Sequence, residues 1–202
     1  WSSDVCSSDL MVGQNYGKRF SPAISGVAVS YNYYPVGHQK ADEGLAMVAL
    51  GLGATIVQGG TALQFSPSNP TVLPQFGNPQ DFLRFGQSRF MALDLSRQTV
   101  DFLAGADASL VQCDLSCAEE DGTLGLVGSV YSSDDDLIRD NLSLPGARVI
   151  TFNNILKWEA LPFAPALAEL LDLFRVGLGC PVEIELALDQ LAADAIHVDA
   201  AA

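Results

Sequence analysis

The sharpest pattern lies near the C-terminal end. In residues 181–189, Val182, Ile184, Leu186 and Leu188 alternate with Glu183, Glu185, Ala187 and Asp189, which predicts a strand with one apolar and one polar face. Upstream, Phe163, Leu167, Leu170, Leu171 and Phe174 recur at helical spacing opposite Glu169, Asp172 and Arg175, so a helix is expected there, stopped by Gly177 and Gly179. Residues 27–33 and 148–152 are strand-like in composition. The apolar run 45–50 follows Asp42-Glu43 and ends in Gly51-Leu-Gly53, after which 54–58 suits a helical turn. Pro67, Pro70, Pro74 and Pro79 make 64–78 an extended connection, and 80–92 predicts a helix using Phe82, Leu83, Phe85 and Phe90. Residues 109–113 and 123–131 read as a hairpin around the turn Glu119-Glu-Asp-Gly122. Ser132-Ser-Asp-Asp-Asp136 offers a cap and first-turn acids for a short helix to Asn141. No regular βαβ alternation runs through the chain. The expected class is mixed α+β, a mostly antiparallel sheet with flanking helices.

Composition narrows the functions. Hydrophobic residues make up 49% of the 202, enough for a packed core rather than a disordered chain. The first ten residues, Trp1-Ser-Ser-Asp-Val-Cys-Ser-Ser-Asp-Leu10, read as an in-frame translation of a sequencing-library adapter and are set aside from the fold. That leaves 202 − 10 = 192 residues, and removing Asp4 and Asp9 takes the net charge from −14 to −12. A chain this acidic, with no Lys/Arg cluster, is not expected to bind nucleic acid. The longest apolar run, 45–57, falls short of the roughly 20 residues that span a bilayer, so no membrane partner is expected. Without Cys6, Cys113, Cys117 and Cys180 remain, an odd number that suits reduced thiols and a cytoplasmic location.

Two stretches carry candidate chemistry. Glu183 and Glu185 sit two apart on one strand face, with Cα atoms about 6.6–7 Å apart, so both carboxylates can reach Mg²⁺ from one side. The alternative is a solvent-facing strand that is simply acidic. Asp189 shares their face but lies about 13 Å beyond Glu185, too far for the same cation. Gly51 and Gly53 allow a phosphate to approach the backbone, although the loop is neither a Walker A nor a Rossmann fingerprint and also suits a plain strand-to-turn link. His38 and His197 pair with no nucleophile. Cys113 and Cys117 have a C-x₃-C spacing without a second such motif, which argues against zinc and for buried thiols.

Several of these stretches together resemble the nucleotide-binding domain of the phosphoenolpyruvate synthase/pyruvate phosphate dikinase family. They are Val12-Gly-Gln-Asn-Tyr-Gly17, Ser25-Gly-Val27, Ala49-Leu-Gly-Leu-Gly-Ala-Thr-Ile-Val-Gln-Gly59 and Cys180-Pro-Val-Glu-Ile-Glu185. The long-insert branch is similar also across Gly122-Thr-Leu through Val127-Gly-Ser-Val-Tyr-Ser132, Ser143-Leu-Pro-Gly-Ala-Arg-Val-Ile-Thr-Phe152 and Ile155-Leu-Lys157. The likeness covers residues 12 to about 189. It implies an ATP-grasp-like fold, ATP and Mg²⁺ as ligands, phosphorylation of a carrier histidine, and pyruvate as acceptor in domains outside this chain. Glu183 and Glu185 match the family's acid-Ile-acid strand and would face Mg²⁺. Gly51 and Gly53 match its Gly-Leu-Gly loop and would face ATP. Ala54 stands where Glu is frequent, and Thr55 or Gln58 would substitute for it. The family's phosphate-contacting Lys and Arg fall upstream of residue 12, and its Gln-x-Arg strand has no match in 190–202. Residues 11–189 are thus expected to be the C-terminal part of the ATP domain, with 190–202 a tail from a frame slip or truncation. On this reading the chain alone is inactive. A related phosphotransferase with another acceptor, or a non-catalytic nucleotide-sensing module, are the other readings.

Overall fold

The strand made by the alternating acids and aliphatics is the axis of the molecule. The computed structural model describes residues 11–96, 105–189 and 197–201, the last for their backbone alone. Strand β11 (Glu183–Leu188) pairs antiparallel with β3 (Ile24–Val29), which pairs with β4 (Leu45–Leu50), which pairs with β5 (Leu63–Phe65). The backbone of β12 (His197–Ala201) adds to the outer edge of β11, giving the order β12-β11-β3-β4-β5. The register sets Ile184 opposite Ala28, Leu186 opposite Gly26 and Leu188 opposite Ile24. Ala46, Val48 and Leu50 continue that face, and all are buried. Glu183 and Glu185 therefore emerge on the other face, beside Val29 and Val27.

Helix α6 (Phe163–Leu178) contributes Phe163, Ala164, Leu167 and Leu171 to the core. The Phe163 and Phe65 rings lie 6.3 Å apart, which fixes the helix start over β5. Gly179 closes the helix in a left-handed conformation, φ 70°, while Gly177 stays helical rather than ending it. A second antiparallel sheet has the order β1-β2-β6-β7, from β1 (Gln14–Tyr16), β2 (Arg19–Ser21), β6 (Arg89–Asp94) and β7 (Leu110–Asp114). A third has β8 (Gly128–Ser132) between β10 (Ala147–Ile150) and β9 (Leu137–Arg139), also antiparallel. One apolar cluster runs through all three regions, from Ile184 and Phe65 to Phe90, Cys113, Leu124 and Phe152. The fold is mixed α+β with mostly antiparallel sheet.

Several sequence expectations are corrected. The helix expected over 80–92 is only α2 (Asp81–Phe85), and the chain leaves it at Gly86 in an extended conformation, φ −72° and ψ 160°. Gln87 then ties the chain to the end of β4: Oε1 accepts from Leu50 N at 2.8 Å and Nε2 donates to Leu50 O at 3.0 Å. Phe90 turns inward as a strand residue opposite Cys113. The hairpin over 109–131 does not form, since β7 pairs with β6. Residues after it make α3 (Leu115–Glu120) and α4 (Leu124–Val127), burying Leu115, Ala118, Leu124 and Val127 at helical spacing. The helix expected over 132–141 is a turn into β9. Asp136 adopts φ 52° and accepts from Tyr131 Oη at 2.9 Å, so the acids cap a strand reversal. The expected strand 27–33 starts earlier, at Ile24, and the proline-rich connection contains β5. The adapter-like residues 1–10 and residues 190–196 lie outside the described residues.

Candidate functional site

The loop Gly51-Leu-Gly53 joins β4 to the single helical turn α1 (Ala54–Val57). Two bonds hold it. Ser25 Oγ donates to Gly51 O at 2.7 Å, and Leu52 N donates to Met91 O at 2.9 Å. Gly51 has φ 83°, and a Cβ there would lie 2.7 Å from both Met91 O and Phe90 Cδ2. Packing alone thus requires this glycine. Gly53 differs. Its φ of −58° suits any residue, and a Cβ would make only an ordinary 3.7 Å contact with Ser25.

Gly53 and Ala54 form one side of a cleft of about 360 Å³ whose opposite side is the polar face of β3 and β11. Glu185 stands on that wall, with Val12, Val27, Ile56 and Val57 supplying apolar surface. Among the described residues Glu185 is the one charged residue lining the cleft. Glu183 is exposed on the same face, two residue pairs further along and beyond the cleft wall. Asp189, at the other end of this face, is buried and accepts from Gln14 Nε2 at 2.8 Å, a tie between β11 and β1. Among the described residues no three His, Cys, Asp or Glu side chains form a metal-holding group. Two carboxylates fit Mg²⁺, which keeps several waters and commonly takes one or two protein carboxylates beside phosphate oxygens.

Sequence reasoning grouped Gly51, Gly53, Thr55 and Gln58 in one loop site. Gly53 is brought to Glu185, while Gly51 is enclosed by packing. Thr55 and Gln58 line a different cleft, which shares no residue with the first. There they meet Arg89 and Gln112, neither of which the sequence motifs single out. A usable signal existed for Arg89, one of only 10 basic residues in the chain.

A polar cluster in the third sheet was also missed. Asp140 accepts from Ser129 Oγ at 2.7 Å, Asn153 Nδ2 at 2.8 Å and Trp158 Nε1 at 2.7 Å, with Lys157 Nζ at 3.9 Å. Burial would push its carboxyl up, but the donors Asn153, Trp158 and Ser129, with the Lys157 charge, hold it below the usual range. With three donors satisfied inside the fold, the cluster reads as architecture. Cys113 is buried and Cys117 half-buried, whereas Cys180 is exposed, unlike the buried default; all three are free. His38 is exposed, and the side chain of His197 lies outside the described residues. Among the described residues no helix is long and apolar enough to cross a membrane. No protein-family model and no curated protein matches this sequence.

Proposed function

We propose that this chain is the ATP- and Mg²⁺-binding part of a phosphoenolpyruvate synthase-like dikinase, with its triphosphate end at the cleft between Gly53–Ala54 and Glu185. The observation that carries the reading is the meeting of the glycine loop with the acidic strand, two stretches far apart in sequence, across one open cleft. The family resemblance joins the same two stretches. In the reaction class implied, ATP phosphorylates a carrier histidine and the phosphoryl group passes on to pyruvate in other domains. Catalysis of this kind is mostly positioning and charge neutralisation. Mg²⁺ supplies the neutralising charge when bound. Glu185, with Glu183 beside it, would hold the cation; the bare Gly53 backbone admits the phosphates closely; Val27, Ile56 and Val57 would shield that contact from water.

Among the described residues no cationic side chain lines the cleft, so on this reading the phosphates depend on the metal for charge compensation. Nucleotide binding to the chain is accordingly expected to require Mg²⁺. Calorimetry of ATP with and without Mg²⁺, on the chain and on Glu183→Gln and Glu185→Gln, tests this. Heat that is Mg²⁺-dependent and lost in Glu185→Gln supports the assignment; equal binding without metal contradicts it. The non-catalytic nucleotide-sensing reading draws on Ala54, which puts a methyl group where the resembled family frequently has a carboxylate. It predicts binding without phosphoryl transfer once the missing domains are supplied.

A further inference from the structure

The second cleft lies between α1, with the glycines that follow it, and the outer face of β6 and β7. Its volume is about 330 Å³, the small end of the range that takes metabolite-sized ligands. In a chain with 24 acidic and 10 basic residues, the described residues that line this cleft include one charged side chain, Arg89, and no carboxylate, although Asp107 Oδ1 accepts from the lining residue Gln58 at 2.9 Å. The guanidinium is held from two sides. Nε donates to Asp114 at 3.2 Å and Nη1 to Gln112 Oε1 at 3.1 Å. Asp114 and Gln112 sit two apart on β7, facing Arg89 and Met91 of β6 in register, so the strand pairing itself orients the fork. Nη2 has no partner among the described residues. The bond at Gln112 Oε1 commits that amide to presenting Nε2 as a further donor.

Thr55 is buried on the same wall. Its Oγ1 has no hydrogen-bond partner among the described residues, and buried hydroxyls of this kind are satisfied in most native proteins.

We propose that this cleft is an oxyanion site, taking the carboxylate or phosphate group of a small metabolite on Arg89, with Gln112 as a neutral donor. Arg89 supplies the charge and the planar geometry that such groups match. Asp114 offsets part of the charge while fixing the guanidinium, so selectivity rests on donor geometry. The site is separate from the Glu185 cleft and does not depend on the nucleotide reading.

The test is an amide NMR titration of the full chain with inorganic phosphate and, in parallel, with acetate, at ionic strength held constant with chloride. Saturable shifts confined to residues 55–61, 89–91 and 112 are expected, and the ion that saturates first identifies the ligand group. Arg89→Ala and Gln112→Ala should each weaken binding, Arg89→Ala by at least about tenfold. Glu185→Gln should leave it unchanged, which keeps this result distinct from the fate of the nucleotide cleft. Non-saturating shifts scattered over the surface, or saturable binding that survives both Arg89→Ala and Gln112→Ala, would overturn the proposal.

Discussion

Gly51 and Gly53 are two residues apart and look alike in the sequence, yet they answer to different demands. Gly51 is held at positive φ against Met91 O and Phe90, so Gly51→Ala should destabilise the fold by about 1–3 kcal/mol, read as a lower urea midpoint. Gly53→Ala should leave stability within about 1 kcal/mol of the parent, because its φ is already helical. The added methyl group would instead narrow the cleft and weaken Mg·ATP binding. If Gly51→Ala is neutral while Gly53→Ala unfolds the chain, the packing described here is wrong. Asp140 supplies a pH-dependent term. Its folded carboxyl lies below the ordinary value, so it stabilises the fold above the unfolded-state value of about 4 and loses that contribution as pH falls through the folded one. Asp140→Ala should cost about 3 kcal/mol at pH 7, with a difference that narrows on acidification as the charge-linked part is lost. A pH-independent difference in urea unfolding would count against this account of the cluster.

Elements with an unbroken period were legible in the sequence; those shaped by distant partners were not. The alternation of β11 and the helical stripe of α6 stand in the structure as the pattern implies, since each buries one whole face. Leu167→Ala on that stripe should cost about 2–5 kcal/mol in urea unfolding, as the residue is almost fully enclosed in the core. Residues 80–92 misled because Phe82, Phe85 and Phe90 fit helical spacing, while the break depends on Gln87 reaching the backbone of β4. No local pattern reports that bond. The acids at 134–136 suit a helix start on composition alone, but Tyr131 recruits Asp136 into a reversal. The turn α1 shows the same limit at a site. As one loop, 51–58 would serve one ligand; one helical turn sends Thr55 and Gln58, three apart, away from Ala54 and Val57.

At the scale of the molecule, the fold class was legible and the division into three sheets was not. The sheet containing β6 and β7 takes its first strands from the start of the described chain, a pairing that no hairpin signal announces. Arg19 fastens this sheet to the α3–α4 turn by a two-oxygen contact with the mostly buried Asp121, at 2.8 and 3.1 Å. The acidic balance has a simpler meaning after the fold is seen. Among the described residues Glu185 is the only charge lining its cleft and Arg89 the only one lining the other, so the two openings offer opposite electrostatics on either side of α1. The central claim is that metal-bound nucleotide sits at the Glu185 cleft. Its most direct test is amide NMR of the chain with ATP, replacing Mg²⁺ by trace Mn²⁺, whose unpaired electrons broaden nearby signals. Broadening centred on residues 53–57 and 183–187 that needs ATP and disappears in Glu185→Gln is the predicted result. Broadening centred elsewhere, or unchanged in Glu185→Gln, would contradict it.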